Sequence, residues 1–320
     1  MLAMVFDAIV FRQRKEKIKV KNMREGKVYF MNTKKIIPAL VTPFDSNENI
    51  DYGALSALVE KLIAQGVDGF YACGSTAECF LLTDDERKKV LETTIQAAKG
   101  RVPIIAHVGN IGTAKTVELA KHAKEAGASA VSSVPPFYYK FSVDEIAGYY
   151  ESIAKAVDLP LIVYSIPALS GVDLTVRDLK KIVDASGAKG LKYTSYNLFE
   201  LEKIRRQFPD LQIYNGHDEV MLNALPIGID GAIGSTFNVM APKFIALKET
   251  YEKGDLQTAA KMQAEINDII EVMIKAGVNP SIKYWLGKAG IPCGNCRKPF
   301  APVSPENAKL LDTYYSKVMG

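Results

Sequence analysis

A lysine and a tyrosine each end a short apolar run in this sequence. Lys192 closes the run that begins at Ala188, and Tyr164 closes the run at residues 159–163. A lysine at the end of a buried strand usually extends its ammonium into water and packs only its methylene stem. The alternative is an amine kept partly desolvated, so that some of it is neutral and can attack a carbonyl carbon.

Further polar residues follow other apolar runs. Loops after the strands of a parallel barrel open at one end, so we expect these side chains to meet Lys192 and Tyr164 at a common mouth. The sequence contains no His/Asp/Glu set with metal spacing and no glycine-rich nucleotide loop. The pattern therefore indicates amine chemistry on a carbonyl, with no cofactor. Among these residues are the paired hydroxyls of Ser75 and Thr76 and the paired carboxylates of Asp218 and Glu219.

The elements that position these residues show a regular alternation. From residue 34, short apolar runs alternate with longer amphipathic stretches, which predicts eight strand–helix pairs. Eight parallel strands can close without an exposed edge, so we predict an α/β protein with a TIM (β/α)8 barrel at residues 31–253. An open doubly wound sheet is the alternative. After Gly254 only helical patterns remain, and these predict a C-terminal helical cap at residues 254–320.

Composition and charge set further bounds. The 320 residues are 48% hydrophobic and 24% charged, which is typical of a globular protein. Residues 1–30 carry eight Lys/Arg and three Asp/Glu, a net charge of +5 against +4 for the whole chain, so the remainder carries −1. The near-neutral body gives no indication of nucleic-acid binding. The apolar runs are too short to span a bilayer.

The first thirty residues differ from the rest of the chain in charge and in pattern. We predict that residues 1–30 are a mobile tail or a mis-called upstream extension, with Met31 as the true start. A basic helix lying on a membrane surface is the alternative. The basic cluster comes after the apolar opening, which is the reverse of a secretion signal, so a cytoplasmic location is expected.

Ordered motifs along most of the chain resemble the pyruvate-dependent class I aldolases, the family of dihydrodipicolinate synthase and N-acetylneuraminate lyase. The resemblance runs from about residue 34 to the end and leaves residues 1–30 outside. The motifs are GSTAE at 74–78, AHVG at 106–109, PFYY at 136–139, VYSIPALSG at 163–171, LKYTS at 191–195, YNGHDE at 214–219, GST at 234–236 and CRKPF at 296–300.

The resemblance implies a role for each matched residue. Lys192 would form a Schiff base with the C2 carbonyl of pyruvate or of an open-chain sugar acid. Tyr164 would move protons, which suits a phenol that both donates and accepts. Ser75 and Thr76, with backbone N–H groups at the start of the next helix, would hold the carboxylate. Tyr138 would reach the site of a neighbouring subunit, which implies a homotetramer.

Two places distinguish the branches of this family. The dihydrodipicolinate synthases have an arginine where this chain has Leu169, so the bidentate carboxylate clamp of that branch is missing. Asp218 and Glu219 instead offer acceptors for the hydroxyls of a polyol tail. Thr194, the Gly216 carbonyl and Ser235 resemble the other sugar-binding positions of the lyase branch. Capping of the following helix by one of the two acids is a compatible second role.

The chain also departs from the family pattern at three positions, none of which removes a reacting group. Ala77 replaces a frequent glycine, Ser165 replaces the usual asparagine, and His217 occupies a variable position. His107 and His122 are predicted to be structural.

We expect an aldolase that reversibly cleaves N-acetylneuraminate to pyruvate and N-acetylmannosamine. The nearest alternatives are another sugar-acid aldolase of the family and, behind it, a dihydrodipicolinate synthase. A non-catalytic sugar-acid sensor is a third, but the intact Lys192–Tyr164 pair argues against it.

Overall fold

A computed structural model describes residues 34–319 of the chain, and the predicted extension at residues 1–30 lies outside the described residues. Eight parallel strands form one sheet in the order β1-β8-β7-β6-β5-β4-β3-β2. The strands are Lys35–Pro38 (β1), Phe70–Ala72 (β2), Ile104–His107 (β3), Ala130–Ser133 (β4), Leu161–Ser165 (β5), Gly190–Tyr193 (β6), Gln212–Asn215 (β7) and Gly231–Gly234 (β8).

The two ends of this strand order meet. Ala39, just beyond β1, forms a parallel bridge with Tyr71 of β2. The N–H of Leu40 donates to the Tyr71 carbonyl at 3.0 Å. The sheet is therefore closed into the predicted TIM barrel, and the alternative of an open doubly wound sheet is wrong.

Helices alternate with the strands on the outside of the barrel. Three of them begin with a capping box, at Thr83, Ser142 and Thr175, where the cap side chain and an acid three residues later satisfy each other's backbone N–H groups. The sequence Thr83-Asp84-Asp85-Glu86 predicts the first of these boxes, because it places an acid three residues after a threonine. The helices are Tyr52–Ala64 (α1), Asp84–Ala98 (α2), Thr113–Ala126 (α3), Val143–Ala156 (α4), Pro167–Ser170 (α5), Val176–Ser186 (α6), Leu198–Gln207 (α7), Met221–Ala224 (α8), Phe237–Glu252 (α9), Leu256–Ala276 (α10), Val278–Lys288 (α11) and Pro305–Met319 (α12).

Two helices near β8 differ from their predicted bounds. The amphipathic pattern predicts a helix at 242–253, but the helix begins at Phe237. Pro242 lies just after a kink at Met240, where a proline is tolerated, so it does not mark the start of the helix. The pattern also predicts a helix at 218–225, which the structure breaks into a 3₁₀ turn, the single turn α8 and a second 3₁₀ turn containing Pro226. The missing proline N–H breaks the regular helical hydrogen bonding there.

The core has two layers, as alternation along short parallel strands requires. One layer fills the barrel interior and includes Ile37, Tyr71, Ile105, Tyr164 and Tyr214. The other lies between the strands and the surrounding helices. Because the interior is packed with side chains, a polar group placed in it must be paired or functional.

Three helices follow the barrel. The boundary predicted between residues 253 and 254 falls between α9 and α10. Trp285 on α11 is fully buried, and its indole N–H donates to the Leu311 carbonyl of α12 at 3.1 Å. Within residues 34–319, no helix combines the length and the apolar character that a membrane crossing requires.

Candidate active site

Lys192 lies on β6 with its side chain in the barrel interior, where it is 4% exposed. The strand register places it beside Tyr164 of β5. Its Nζ lies 4.1 Å from the centre of the Tyr164 ring and 4.3 Å from the centre of the Tyr71 ring. Aromatic faces attract a cation, and their bulk keeps water from the amine. The structure thus brings together the lysine and the tyrosine that the sequence singles out.

Tyr71 belongs to this cluster although sequence analysis missed it. Its hydroxyl donates to Oγ of Ser132 on β4, two strands away, at 3.0 Å. Burial raises the pKa of Tyr71 well above its ordinary value, and the neighbouring Tyr164 adds to the effect, so Tyr71 remains a neutral phenol. Strand alternation is the one sequence signal that could have identified Tyr71. It is the middle residue of β2, and because its two neighbours face the helices, its own side chain faces the barrel interior.

His107 ends β3 beside the same cluster. Its Nδ1 lies 2.9 Å from the Cys73 carbonyl, and Val134 N–H points to its Nε2 at 3.4 Å. Burial lowers the pKa of His107 well below its usual value, and the charge of Arg87 adds to the shift. The imidazole is therefore neutral, with Nδ1–H donating and Nε2 accepting. This geometry gives His107 the structural role expected from the sequence.

Ser75 and Thr76 lie in the loop after β2, at the start of a short 3₁₀ turn that spans Ser75–Ala77. The helix start expected here is therefore that of a single 3₁₀ turn, and the next long helix begins only at Asp84. The backbone bonds of the turn are donated by Ala77 and Glu78, so the N–H groups of Ser75 and Thr76 are not used by it.

This loop is held in place by a buried ion pair that the sequence does not reveal. Glu78 has a left-handed backbone with φ of 59°, and its carboxylate accepts from Nζ of Lys283 at 2.6 Å. Both side chains are fully buried. The other Glu78 oxygen accepts the backbone N–H of Arg297 at 2.7 Å. The CRKPF motif at 296–300 therefore acts by fixing the loop that carries Ser75 and Thr76.

A cavity of about 260 Å³ opens beside this loop and beside the end of β5. Ser75 and Ile166 both line it, which places the two loops on the same cavity. The side chain at the branch-distinguishing position, Leu169, also lines it and is 69% exposed. The lining of the cavity is predominantly apolar, and no guanidinium is among the described side chains that line it.

Four buried oxygens at the carboxyl ends of β5 to β7 and in the loops after them lack a hydrogen-bond partner within residues 34–319. Ser165 and Asn215 follow interior-facing residues on β5 and β7, so alternation turns them toward the helices. Buried polar atoms are almost always paired, so the oxygens of Thr194 and Asp218 remain as places for ligand donors. The four atoms are Ser165 Oγ, Thr194 Oγ1, Asn215 Oδ1 and Asp218 Oδ1. Among the predicted site residues, Thr194 and Asp218 belong to this group.

Asp218 is buried, and only one of its oxygens is engaged. Its Oδ2 accepts from the backbone N–H and the hydroxyl of Thr236, at 2.9 and 2.7 Å. The predicted capping of the following helix is therefore replaced by a contact across to the loop after β8. Burial raises the pKa of Asp218 to about 6, against the lowering by its bonds to Thr236.

Glu219 has the opposite electrostatic environment from its neighbour in sequence. Burial raises its pKa, but hydrogen bonds from His217 and Tyr196 outweigh burial and bring the pKa to about 2. The Tyr196 hydroxyl lies 2.5 Å from Oε1, and Nδ1 of His217 lies 3.4 Å from the same oxygen. Glu219 is therefore ionised throughout the neutral range. Tyr196 was missed by the sequence analysis.

Two glycines keep this region open. A Cβ at Gly216 would lie 1.9 Å from Oγ1 of Thr194, and a Cβ at Gly234 would lie 2.1 Å from Oδ1 of Asp218. Any side chain at either position would therefore collide with one of the unpaired oxygens. Ser235 follows Gly234 directly and is half-buried at the same mouth.

Tyr138 is a predicted site residue for which the structure shows no contact with Lys192. It lies on the surface with 83% of its side chain exposed and a positive φ of 77°. Its ring packs edge-on against Tyr139, with the ring centres 5.1 Å apart. Within residues 34–319, no three His, Cys, Asp or Glu side chains are grouped as a metal site would need.

A sequence profile of the dihydrodipicolinate synthetase family matches residues 32–317. The chain belongs to this family. Its match spans the barrel strands and all the helices that follow them, so every residue of the site described above falls inside it. Members of the family are class I aldolases, and this chain is a carbon–carbon lyase of that type.

Individual members of the dihydrodipicolinate synthetase family support a finer comparison. The N-acetylneuraminate lyase of Escherichia fergusonii is 44% identical over 292 residues, which cover 90% of this chain and 98% of that protein. The Fusobacterium nucleatum N-acetylneuraminate lyase complexed with pyruvate has a TM-score of 0.86 and 34% identity, covering 92% and 99% of the two chains. Dihydrodipicolinate synthase from Aquifex aeolicus has a TM-score of 0.84 and 29% identity, covering 89% and 97%.

Proposed function

We propose that this protein is an N-acetylneuraminate lyase that cleaves its substrate through a Schiff base on Lys192. The products are pyruvate and N-acetylmannosamine. The observation that carries the proposal is the buried contact of the Lys192 amine with the Tyr164 ring. The unpaired buried oxygens of Thr194 and Asp218 supply acceptors for substrate hydroxyls. The 44% identity to a lyase supports the choice of substrate.

The reaction begins at the amine. Nζ of Lys192 attacks the C2 carbonyl of the open-chain sugar acid, and loss of water leaves a protonated imine. The C3–C4 bond then breaks, its electron pair forms the enamine across C2 and C3, and the C4 hydroxyl becomes an aldehyde as its proton leaves. Protonation of C3 and hydrolysis of the imine release pyruvate and restore the lysine.

In this scheme Tyr164 takes and returns the C4 hydroxyl proton. It lies directly beside Lys192 on the adjacent strand and is 2% exposed, so bulk water does not compete for that proton. A phenol serves both directions of the transfer, since it donates when protonated and accepts when ionised.

The two ends of the substrate are assigned to opposite sides of the mouth. The hydroxyls of Ser75 and Thr76, with their spare backbone N–H groups, hold the carboxylate beside the Tyr71 ring, on which Gly74 packs. Hydroxyls of the polyol tail donate to the unpaired oxygens of Thr194 and Asp218, and to Glu219. The Gly216 carbonyl and Ser235 complete the tail site.

A dihydrodipicolinate synthase is the second candidate, because the family includes that activity. Its substrate is an amino-acid semialdehyde, whose carboxylate needs a cation. Leu169 and the predominantly apolar cavity around it offer none among the described lining residues, so this activity is disfavoured.

We also propose that the protein works as a homotetramer in the cytoplasm, in the breakdown of sialic acid. The exposed Tyr138 supports the assembly, because a tyrosine with 83% of its surface exposed is available to a second copy of the chain. Size-exclusion chromatography with light scattering tests the assembly.

The proposal is tested by borohydride reduction in the presence of pyruvate, followed by peptide mass spectrometry. We expect a reduced pyruvate adduct on Lys192, and pyruvate release from N-acetylneuraminate. Lys192→Ala should lose both the adduct and turnover. Tyr164→Phe should lower turnover by at least a hundredfold and still accumulate the adduct, because proton transfer contributes about 10²–10⁴-fold.

A sensor that only binds sugar acids would give no adduct with the native protein. A synthase would consume pyruvate with aspartate semialdehyde faster than it cleaves N-acetylneuraminate. Either result would replace the proposed function.

A further inference from the structure

The rim of the mouth carries an aromatic residue with no part in the proposed bond cleavage. Tyr196 lies in the loop between β6 and α7 and is 60% exposed. Its ring stacks on the imidazole of His217, with the ring centres 4.1 Å apart and the planes 7° apart. Its hydroxyl donates to Oε1 of Glu219 at 2.5 Å. The loop after β6 is therefore tied to the loop after β7.

Both aromatic side chains hold the same oxygen of Glu219. Nδ1 of His217 lies 3.4 Å from Oε1, so Oε2 takes no hydrogen bond from either ring. Behind the loop, Nδ2 of Asn267 donates to the Glu219 carbonyl at 3.0 Å. The carboxylate is thus fixed through one oxygen and through its own backbone, which limits its rotation.

We propose that Tyr196 is a positioning residue that makes the site select 2-keto acids with a long hydroxylated tail over shorter ones. Tyr196 acts through Glu219: a carboxylate already held in one orientation accepts a hydroxyl without first losing conformational freedom. Only a substrate whose tail is long enough to reach Glu219 binds more tightly because of this fixed orientation. The inference rests on the proposed function, because it requires a sugar acid bound across the mouth.

The test uses Tyr196→Phe, which keeps the ring on His217 and removes the donated hydrogen bond. We expect KM for N-acetylneuraminate to rise about 3–10-fold, the range for loss of one hydrogen bond to a charged group that water partly replaces. The value of kcat should stay within about twofold. For a 2-keto-3-deoxy acid lacking the last three tail carbons, both constants should stay unchanged.

A matched control removes a tyrosine hydroxyl elsewhere. Tyr314 is half-buried on α12, and Tyr314→Phe should leave both constants unchanged for both substrates. A second variant, Glu219→Gln, tests the route of the effect. If Tyr196 acts through Glu219, the double variant raises KM no further than Glu219→Gln alone.

Three results would overturn the proposal: a Tyr196→Phe protein unchanged on both substrates, one that loses kcat/KM equally on both, or a double variant whose effects add. The equal loss would assign Tyr196 a purely structural role. Failure of the proposed function looks different, because the native protein would then cleave neither acid and would form no lysine adduct with pyruvate.

Discussion

The adjacent acids Asp218 and Glu219 are expected to affect stability with opposite signs. Burial holds the pKa of Asp218 at about 6, up from 3.8. A difference of about two pKa units corresponds to about 3 kcal/mol between the charged and neutral forms. The folded protein binds this proton more tightly than the unfolded chain, so stability falls as the pH rises from about 4 to about 6 and is level above that.

Asp218→Asn removes the free-energy cost of burying a charged carboxylate. An asparagine oxygen can accept both Thr236 bonds, since both fall on Oδ2 in the native protein. We therefore expect the free energy of unfolding at pH 7.5 to rise by about 1–3 kcal/mol. At pH 4 the gain should vanish, because Asp218 is then neutral in the native protein too.

Glu219→Gln is the matched variant. The hydrogen bonds from His217 and Tyr196 lower the pKa of Glu219 to about 2, below its usual 4.5, so its charge stabilises the fold above pH 4.5. Its loss should lower the free energy of unfolding at pH 7.5 by about 1–2 kcal/mol, a value reduced for the solvent that reaches this side chain.

Urea unfolding at fixed protein concentration, at pH 4, 6 and 7.5, gives the midpoints and slopes for all three proteins. The reasoning is refuted if Asp218→Asn is no more stable than the native protein at pH 7.5. It is also refuted if the gain is the same at pH 4. In either case, burial of the Asp218 charge does not lower the stability of the native protein.

Two further predictions concern the frame of the site. Lys283→Met leaves the Glu78 carboxylate buried without a cation and should lower the free energy of unfolding by about 3–5 kcal/mol, measured from urea midpoints. The control, Lys180→Met, breaks an exposed ion pair and should lower it by less than about 1 kcal/mol. Equal costs would contradict the role of burial. Gly216→Ala places a Cβ 1.9 Å from Oγ1 of Thr194, so KM for N-acetylneuraminate should rise at least tenfold. The control, Gly112→Ala, has no atom within 4 Å of its Cβ and should leave KM unchanged in the same assay.

The barrel could be predicted from the sequence because its signals are local. The apolar run at 104–107 predicts a strand and the amphipathic stretch at 113–126 predicts a helix, and these are the bounds of β3 and α3. Both patterns can be read from neighbouring residues alone. The start of α9 could not be predicted in this way. A proline within the first turn after a kink has the same local signature as a proline at the first helical position.

The contact of Lys192 with Tyr164 was also predictable, but its surroundings were only partly so. Lys192 and Tyr164 end two apolar runs, and parallel strands place such ends together. Tyr71 offers no comparable signal beyond its parity on a three-residue strand. The ion pair of Glu78 with Lys283 joins residues 205 positions apart, and nothing local to either residue marks that contact.

The attachment of Glu78 to Lys283 and Arg297 also concerns the order in which the protein is made. All eight strands, with Lys192 and Tyr164, precede in the sequence the lysine that pairs with Glu78 beneath the loop of Ser75 and Thr76. A nascent chain ending near residue 275 would contain the whole barrel and still carry Glu78 without its cation. We therefore expect this loop to become fixed only after Lys283 and Arg297 have been translated, and a barrel cut after α9 to leave the loop unfixed.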